Sequence, residues 1–133
     1  MSVTRSQAST RGVQVDVVAK FSPERSDLPG SVWFFVYTVT IANTSDATVQ
    51  LLNRHWEITD GNGRVEHVRG PGVVGEQPVL EPGRAFRYSS GCPLPTPFGF
   101  MRGEYDMIVT ETGERFEANV ELFSLRLEGD ALH

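Results

Sequence analysis

The sequence predicts an all-β domain, an immunoglobulin/fibronectin-III-like β-sandwich of about seven antiparallel strands. Apolar and polar residues alternate with period two through most of the chain, the pattern of strands with one buried face. Thirteen glycines and eight prolines lie mostly between these runs, where turns belong. Nothing reads as a helix of useful length. With 133 residues, 39% of them hydrophobic, the chain can bury one core and is too short for two.

Residues 1–12 (MSVTRSQASTRG) and 126–133 are small or polar and are expected to be flexible ends, leaving 13–125 as the sandwich domain. Over residues 13–21, Val13, Val15, Val17, Ala19 and Phe21 share one face, opposite Gln14, Asp16 and Lys20. Residues 22–31 hold two prolines and a glycine and form a loop. Residues 32–43 put Trp33, Phe35, Tyr37, Val39 and Ile41 on one face. The other face starts apolar with Val32, Phe34 and Val36, as in a central strand covered partly on both sides. Residues 49–60 and 64–69 flank Asp60-Gly61-Asn62-Gly63, a hairpin signal because glycine and asparagine accept positive φ. Phe86 and Tyr88 alternate with Arg87 and Ser89 in residues 85–92. Residues 99–110 align Met101, Tyr105, Met107 and Val109. After Glu111-Thr112-Gly113-Glu114, Phe116, Ala118, Val120 and Leu122 complete the last strand. Gly103-Glu104-Tyr105-Asp106-Met107 is similar to a tyrosine corner, in which the hydroxyl bonds back to nearby backbone. An open barrel is the competing architecture.

Charge and composition exclude several functions. The net charge is −5, Lys20 is the only lysine and the arginines are scattered, so no nucleic-acid partner is expected. The single Cys92 cannot form an intrachain disulfide. The polar N-terminus lacks a secretory apolar stretch, and no window is long and apolar enough for a spanning helix. A cytoplasmic protein without membrane insertion is the expectation. Edge strands leave the oligomeric state open.

Three stretches carry candidate chemistry. Gly70-Pro71-Gly72-Val73-Val74-Gly75 satisfies G-x-G-x-x-G, which in a dinucleotide fold opens a helix. Pro78, Pro82 and Gly83 follow too soon for that helix. The remaining readings are an anion nest of loop amides beside Arg69 or Arg54, and a shaped surface loop. Pro71 has no N–H, which weakens the nest.

Arg54-His55-Trp56, with Glu57 on the strand and Glu66 and His67 across the hairpin, suggests a divalent-ion site or simply a polar outer face. Register decides whether His55 and Glu57 share a face with Glu66 or Glu57 faces His67. No C-x-x-C, H-x-x-x-H or EF-hand spacing is present, and no metal site is predicted. Arg54 interrupts the apolar face of Leu52, Trp56 and Ile58. Either a bulge re-aims it or it sits at an edge, free for a partner's carboxylate or tied to Asp60 or Glu57. Cys92 has no evident base and reads as a small core residue, so no catalytic residue is assigned. In residues 92–101, three prolines stiffen a loop bearing Leu94, Phe98, Phe100 and Met101, which serve either partner docking or capping of the core.

Longer strings resemble the ApaG family. They are Tyr37-Thr38-Val39-Thr40-Ile41, Gln50-Leu51-Leu52-Asn53-Arg54-His55-Trp56, Ile58-Thr59-Asp60, Val68-Arg69-Gly70, Gly72-Val73-Val74-Gly75-Glu76-Gln77-Pro78 and Ser89-Ser90-Gly91-Cys92-Pro93-Leu94. The resemblance implies a fibronectin-III-like sandwich and a non-enzymatic module for protein–protein interaction, without cofactor, with an associated role in cobalt and magnesium homeostasis. The expected surface comprises Arg54, His55, Arg69, Gly70, Gly72, Val73 and Gly75. The alternative function is a sensor of divalent cations or of phosphate or nucleotide anions, built on the 70–75 loop and the Arg54/His55 hairpin.

Overall fold

Where the sequence alternates, one face of each strand is sealed: Val13, Val15, Val17 and Ala19 are at most 2% exposed, and Phe35, Val39 and Ile41 are fully buried. The computed structural model describes residues 3–127. Its strands are β1 (Thr4–Thr10), β2 (Val13–Phe21), β3 (Trp33–Asn43), β4 (Val49–Asp60), β5 (Val65–Pro71), β6 (Val79–Leu80), β7 (Ala85–Leu94), β8 (Phe98–Val109) and β9 (Arg115–Arg126). A 3-10 turn, Pro23–Arg25, interrupts the loop after β2. Among the described residues no helix is long and apolar enough to cross a membrane.

Two sheets form the sandwich, one in the order β1-β2-β3-β7 and the other β5-β4-β8-β9, with β6 pairing β4. Every strand pairing is antiparallel. Trp56 lies at the centre of the core, edge-on to Tyr37, Tyr105 and Phe123 at centroid distances of 5.4, 6.1 and 5.9 Å. Such edge-to-face contacts suit the aromatic quadrupole. β1 and β9 lie side by side without a backbone ladder: the Thr4 hydroxyl donates to the Ser124 carbonyl, and the Asn119 N–H donates to the Thr10 hydroxyl. The two sheets therefore stay separate, and the open-barrel alternative does not apply.

Three expectations are corrected. Residues 4–10 are not a loose end but strand β1, joined to β2 by a tight turn in which Arg11 and Gly12 both have positive φ. That strand was hidden because its half-buried side is Thr4, Ser6, Ala8 and Thr10, polar or small throughout. With β1 and the two-residue β6, the described residues hold nine strands where about seven were expected. Tyr105 is no tyrosine corner: it sits within β8, and its hydroxyl pairs with that of Tyr88 on the opposite sheet. At the other end, β9 runs to Arg126, and residues 128–133 of the expected tail lie outside the described residues.

Candidate functional site

The hairpin of β4 and β5 is set by the chemistry of its turn. The Asp60 carboxylate accepts from the N–H groups of Asn62 and Arg64, and Gly63 takes φ 84°. This fixes the register, with Glu57 opposite His67, Trp56 opposite Val68 and Arg54 opposite Gly70. Glu66 falls on the other face, away from His55. Across the sheet, His55 is opposite Arg69 on one side and Glu104 on the other, and Asn53 is opposite Asp106.

The outward row is a chain of paired charges. His55 Nδ1 lies 2.5 Å from Glu104 Oε2, and His55 Nε2 lies 2.9 Å from His67 Nδ1. If His55 donates from Nδ1 to Glu104, its Nε2 accepts and His67 donates. Both nitrogens of His55 are then engaged. Among the described residues no group of three His, Cys, Asp or Glu side chains converges on a metal position. Arg102 pairs with Glu57, and Arg115 with Asp106. The hydrogen bond from Arg115 holds the Asp106 carboxyl below its ordinary value, and Asn53 reinforces it.

Arg54 belongs to the inner face. The β4–β8 register slips between Leu51 and Asn53, and this bulge re-aims the residues that follow. The Arg54 guanidinium donates to the carbonyls of Pro71 and Gly72 at 3.1 and 3.0 Å. It pairs with neither Asp60 nor Glu57. Its plane lies against Gly70, where an added Cβ would sit 3.0–3.2 Å from the guanidinium atoms. Arginine here ties the start of the 71–78 loop to the sheet.

The loop itself is a tight turn and not a nest. Gly72 N–H donates to the Leu52 carbonyl, and Val73 and Glu76 exchange both backbone hydrogen bonds. Two amides of the 70–75 stretch, those of Gly72 and Val73, are thus engaged, and Pro71 supplies none. Val74 and Gly75, at φ 43° and 82°, are the central residues of a two-residue turn of type I′. Val73 is fully buried, which corrects its assignment to the surface, while Val74 beside it is 58% exposed.

Of the seven expected site residues, four come together: Arg54, His55, Arg69 and Gly70 line one groove of about 410 Å³. Gly72, Val73 and Gly75 do not line it. Glu104, Asp106 and Glu117 form the opposite wall and were missed. Alternation places them outward, but only the pairing of β4 with β8 brings them to His55. Residues 92–101 are not one loop: Leu94 ends β7 and Phe98–Met101 open β8, with Leu94 and Met101 buried in the core and Phe98 and Phe100 exposed at 55% and 37%. Cys92 is buried, and burial pushes its thiol up to about 12. Burial likewise raises Tyr37, Tyr88 and Tyr105, with Arg54 opposing weakly.

A family model described as the ApaG domain matches residues 23–109. The chain belongs to the ApaG family. It is 61% identical over 116 residues to Protein ApaG of Beijerinckia indica subsp. indica, covering 87% of this chain and 88% of that one. Protein ApaG of Methylocella silvestris is 57% identical over 118 residues, 89% and 90% of the two chains. Among solved structures, a Bordetella pertussis protein named ApaA superposes with a TM-score of 0.82 at 46% identity, covering 92% of this chain and 94% of its own. The C-terminal domain of wzt superposes with a TM-score of 0.54 at 8% identity, a likeness of fold alone. It covers 95% of this chain and 79% of that one.

Proposed function

We propose that the chain is a non-catalytic binding module that engages a protein partner through the groove around Arg69 and the turn beside it. The observation that carries this reading is Val74. A β-branched residue with φ 43° is strained, and here it is presented to solvent at 58% exposure on the tip of a turn for which Asn-Gly is the preferred pair. Strain at an exposed position points to a role beyond the fold. Arg69 extends from the neighbouring strand, and Val79 adds a second exposed apolar side chain.

The titratable groups support the same reading. The thiol and the three core tyrosines are shifted away from reactivity by burial and lie between the sheets, not in a cleft. An ion-sensing role is less well supported, because the Gly72 and Val73 amides and both His55 nitrogens are already engaged. A role in cobalt and magnesium homeostasis would accordingly run through the partner. Affinity capture with the wild-type chain, Arg69→Glu and Val74→Asn tests the site. Partners recovered by the wild type should be lost by both variants while their folds persist. Equal recovery by all three overturns the assignment.

A further inference from the structure

The second sheet presents a face of different character. Residues pointing outward from β1, β2, β3 and β7 include Arg5, Lys20 and Arg87, and Arg25 reaches over the same surface with its guanidinium 5.7 Å from the Phe34 ring. Elsewhere Arg11, Arg102 and Arg115 each meet a carboxylate, while Arg64, Arg69, Arg84 and Arg126 stand apart from one another without one. Among the described residues, none of the four cations on this face meets one. Asp16 and Glu24 are the carboxylates that line the same grooves, and Asp16 accepts from Gln14. A chain with net charge −5 thus gathers unpaired positive charge on one sheet.

We propose that this face docks an acidic segment of a partner protein in which carboxylates alternate with apolar side chains. Two grooves, of about 740 and 430 Å³, meet at Lys20 and Val36 and form one continuous surface. That length exceeds what a single small anion fills and suits an extended peptide. Val3, Val18 and Val36 lie between the cations, so the surface offers apolar contact and positive charge in turn. Thr38 and Ser89, bonded to each other at 2.7 Å across β3 and β7, add hydroxyls between Lys20 and Arg87. Nucleic acid fits less well. Stacking on bases needs exposed aromatic faces, and Phe34, the aromatic side chain pointing outward on this sheet, is covered by Arg25.

The test is selection of a random dodecapeptide display library on the full wild-type chain, followed by anisotropy titration of the selected peptides. Selected sequences should be rich in Asp and Glu at alternating positions. Affinity should fall by about ten-fold or more in Lys20→Glu/Arg87→Glu, and fall with added salt. The milder pair Arg5→Gln/Arg25→Gln should weaken binding in the same direction. Arg64→Glu/Arg126→Glu, an equal charge reversal outside both candidate surfaces, should leave it unchanged within about two-fold. Selection without acidic enrichment, equal loss in Arg64→Glu/Arg126→Glu, or displacement of the peptide by lower concentrations of a single-stranded oligonucleotide or inorganic phosphate would each overturn the proposal. Because Arg69 and Val74 are untouched in the two test pairs, failure here is distinct from failure of the groove on the other face.

Discussion

At the scale of single residues, Val74 separates stability from function. Asparagine adopts the left-handed region more readily than a β-branched side chain and is the favoured first residue of a type I′ turn. Val74→Asn is therefore expected to stabilise the fold by about 1 kcal/mol, raising the melting temperature by roughly 4 °C in thermal denaturation. The same variant is expected to lose partner capture, the trade expected where strain serves binding. Val73, its buried neighbour, behaves oppositely, since a charge there would enter the core. The sequence reads the two valines alike, because a surface turn and a loop with one side chain tucked inward have the same composition. Only the two hydrogen bonds between Val73 and Glu76 separate them.

At the scale of elements, β8 carries the tightest constraint. A Cβ at Gly103 would lie 2.0 Å from the His55 carbonyl oxygen, beside the bulge where the β8–β9 register shifts. Gly103→Ala is expected to cost at least about 3 kcal/mol in chemical denaturation, because the obstacle is backbone that cannot turn aside. The outward faces of β8 and β9 also give a pH prediction. The Asp106 carboxyl is held below its ordinary value by Arg115, so its contribution to stability is present above the unfolded-state value. That contribution is lost as pH falls through the folded-state value. In Arg115→Gln, the Asp106 carboxyl carbon should titrate closer to the ordinary aspartate value by NMR. The stability advantage of wild type over this variant should vanish at acid pH. The paired strands were legible as elements from alternation, and the β4–β5 turn from Asp60-Gly61-Asn62-Gly63. Their partners were not, because β4 pairs with β8 across some forty intervening residues, and nothing local encodes that choice.

At the scale of the molecule, the aromatic cluster around Trp56 and the hydroxyl pair of Tyr88 and Tyr105 join through Tyr105 into one set of contacts that holds the sheets together. Cys92 reports on this closure. Its thiol, pushed up to about 12 by burial, should resist alkylation in the folded chain and react at the rate of global opening. Iodoacetamide labelling that proceeds at the rate of a free thiol under native conditions would contradict this account. Fold class was readable because alternation and turn residues agree over most of the chain. The candidate site was only half readable: Arg54, His55, Arg69 and Gly70 meet in one groove, but its acidic wall depends on tertiary pairing.

The contact between β1 and β9 has a consequence in the order of synthesis. Thr4 bonds to the Ser124 carbonyl, 120 residues later. At roughly 5–20 residues per second, the first strand waits about 6–24 s for the strand that covers its side. During that interval its edge is open to neighbouring nascent chains, and a hydrophobic edge would be a template for mispairing. The Thr, Ser and Gln side chains of β1, which hide the strand from a reader of the sequence, also leave its exposed edge with little apolar surface to offer another nascent chain.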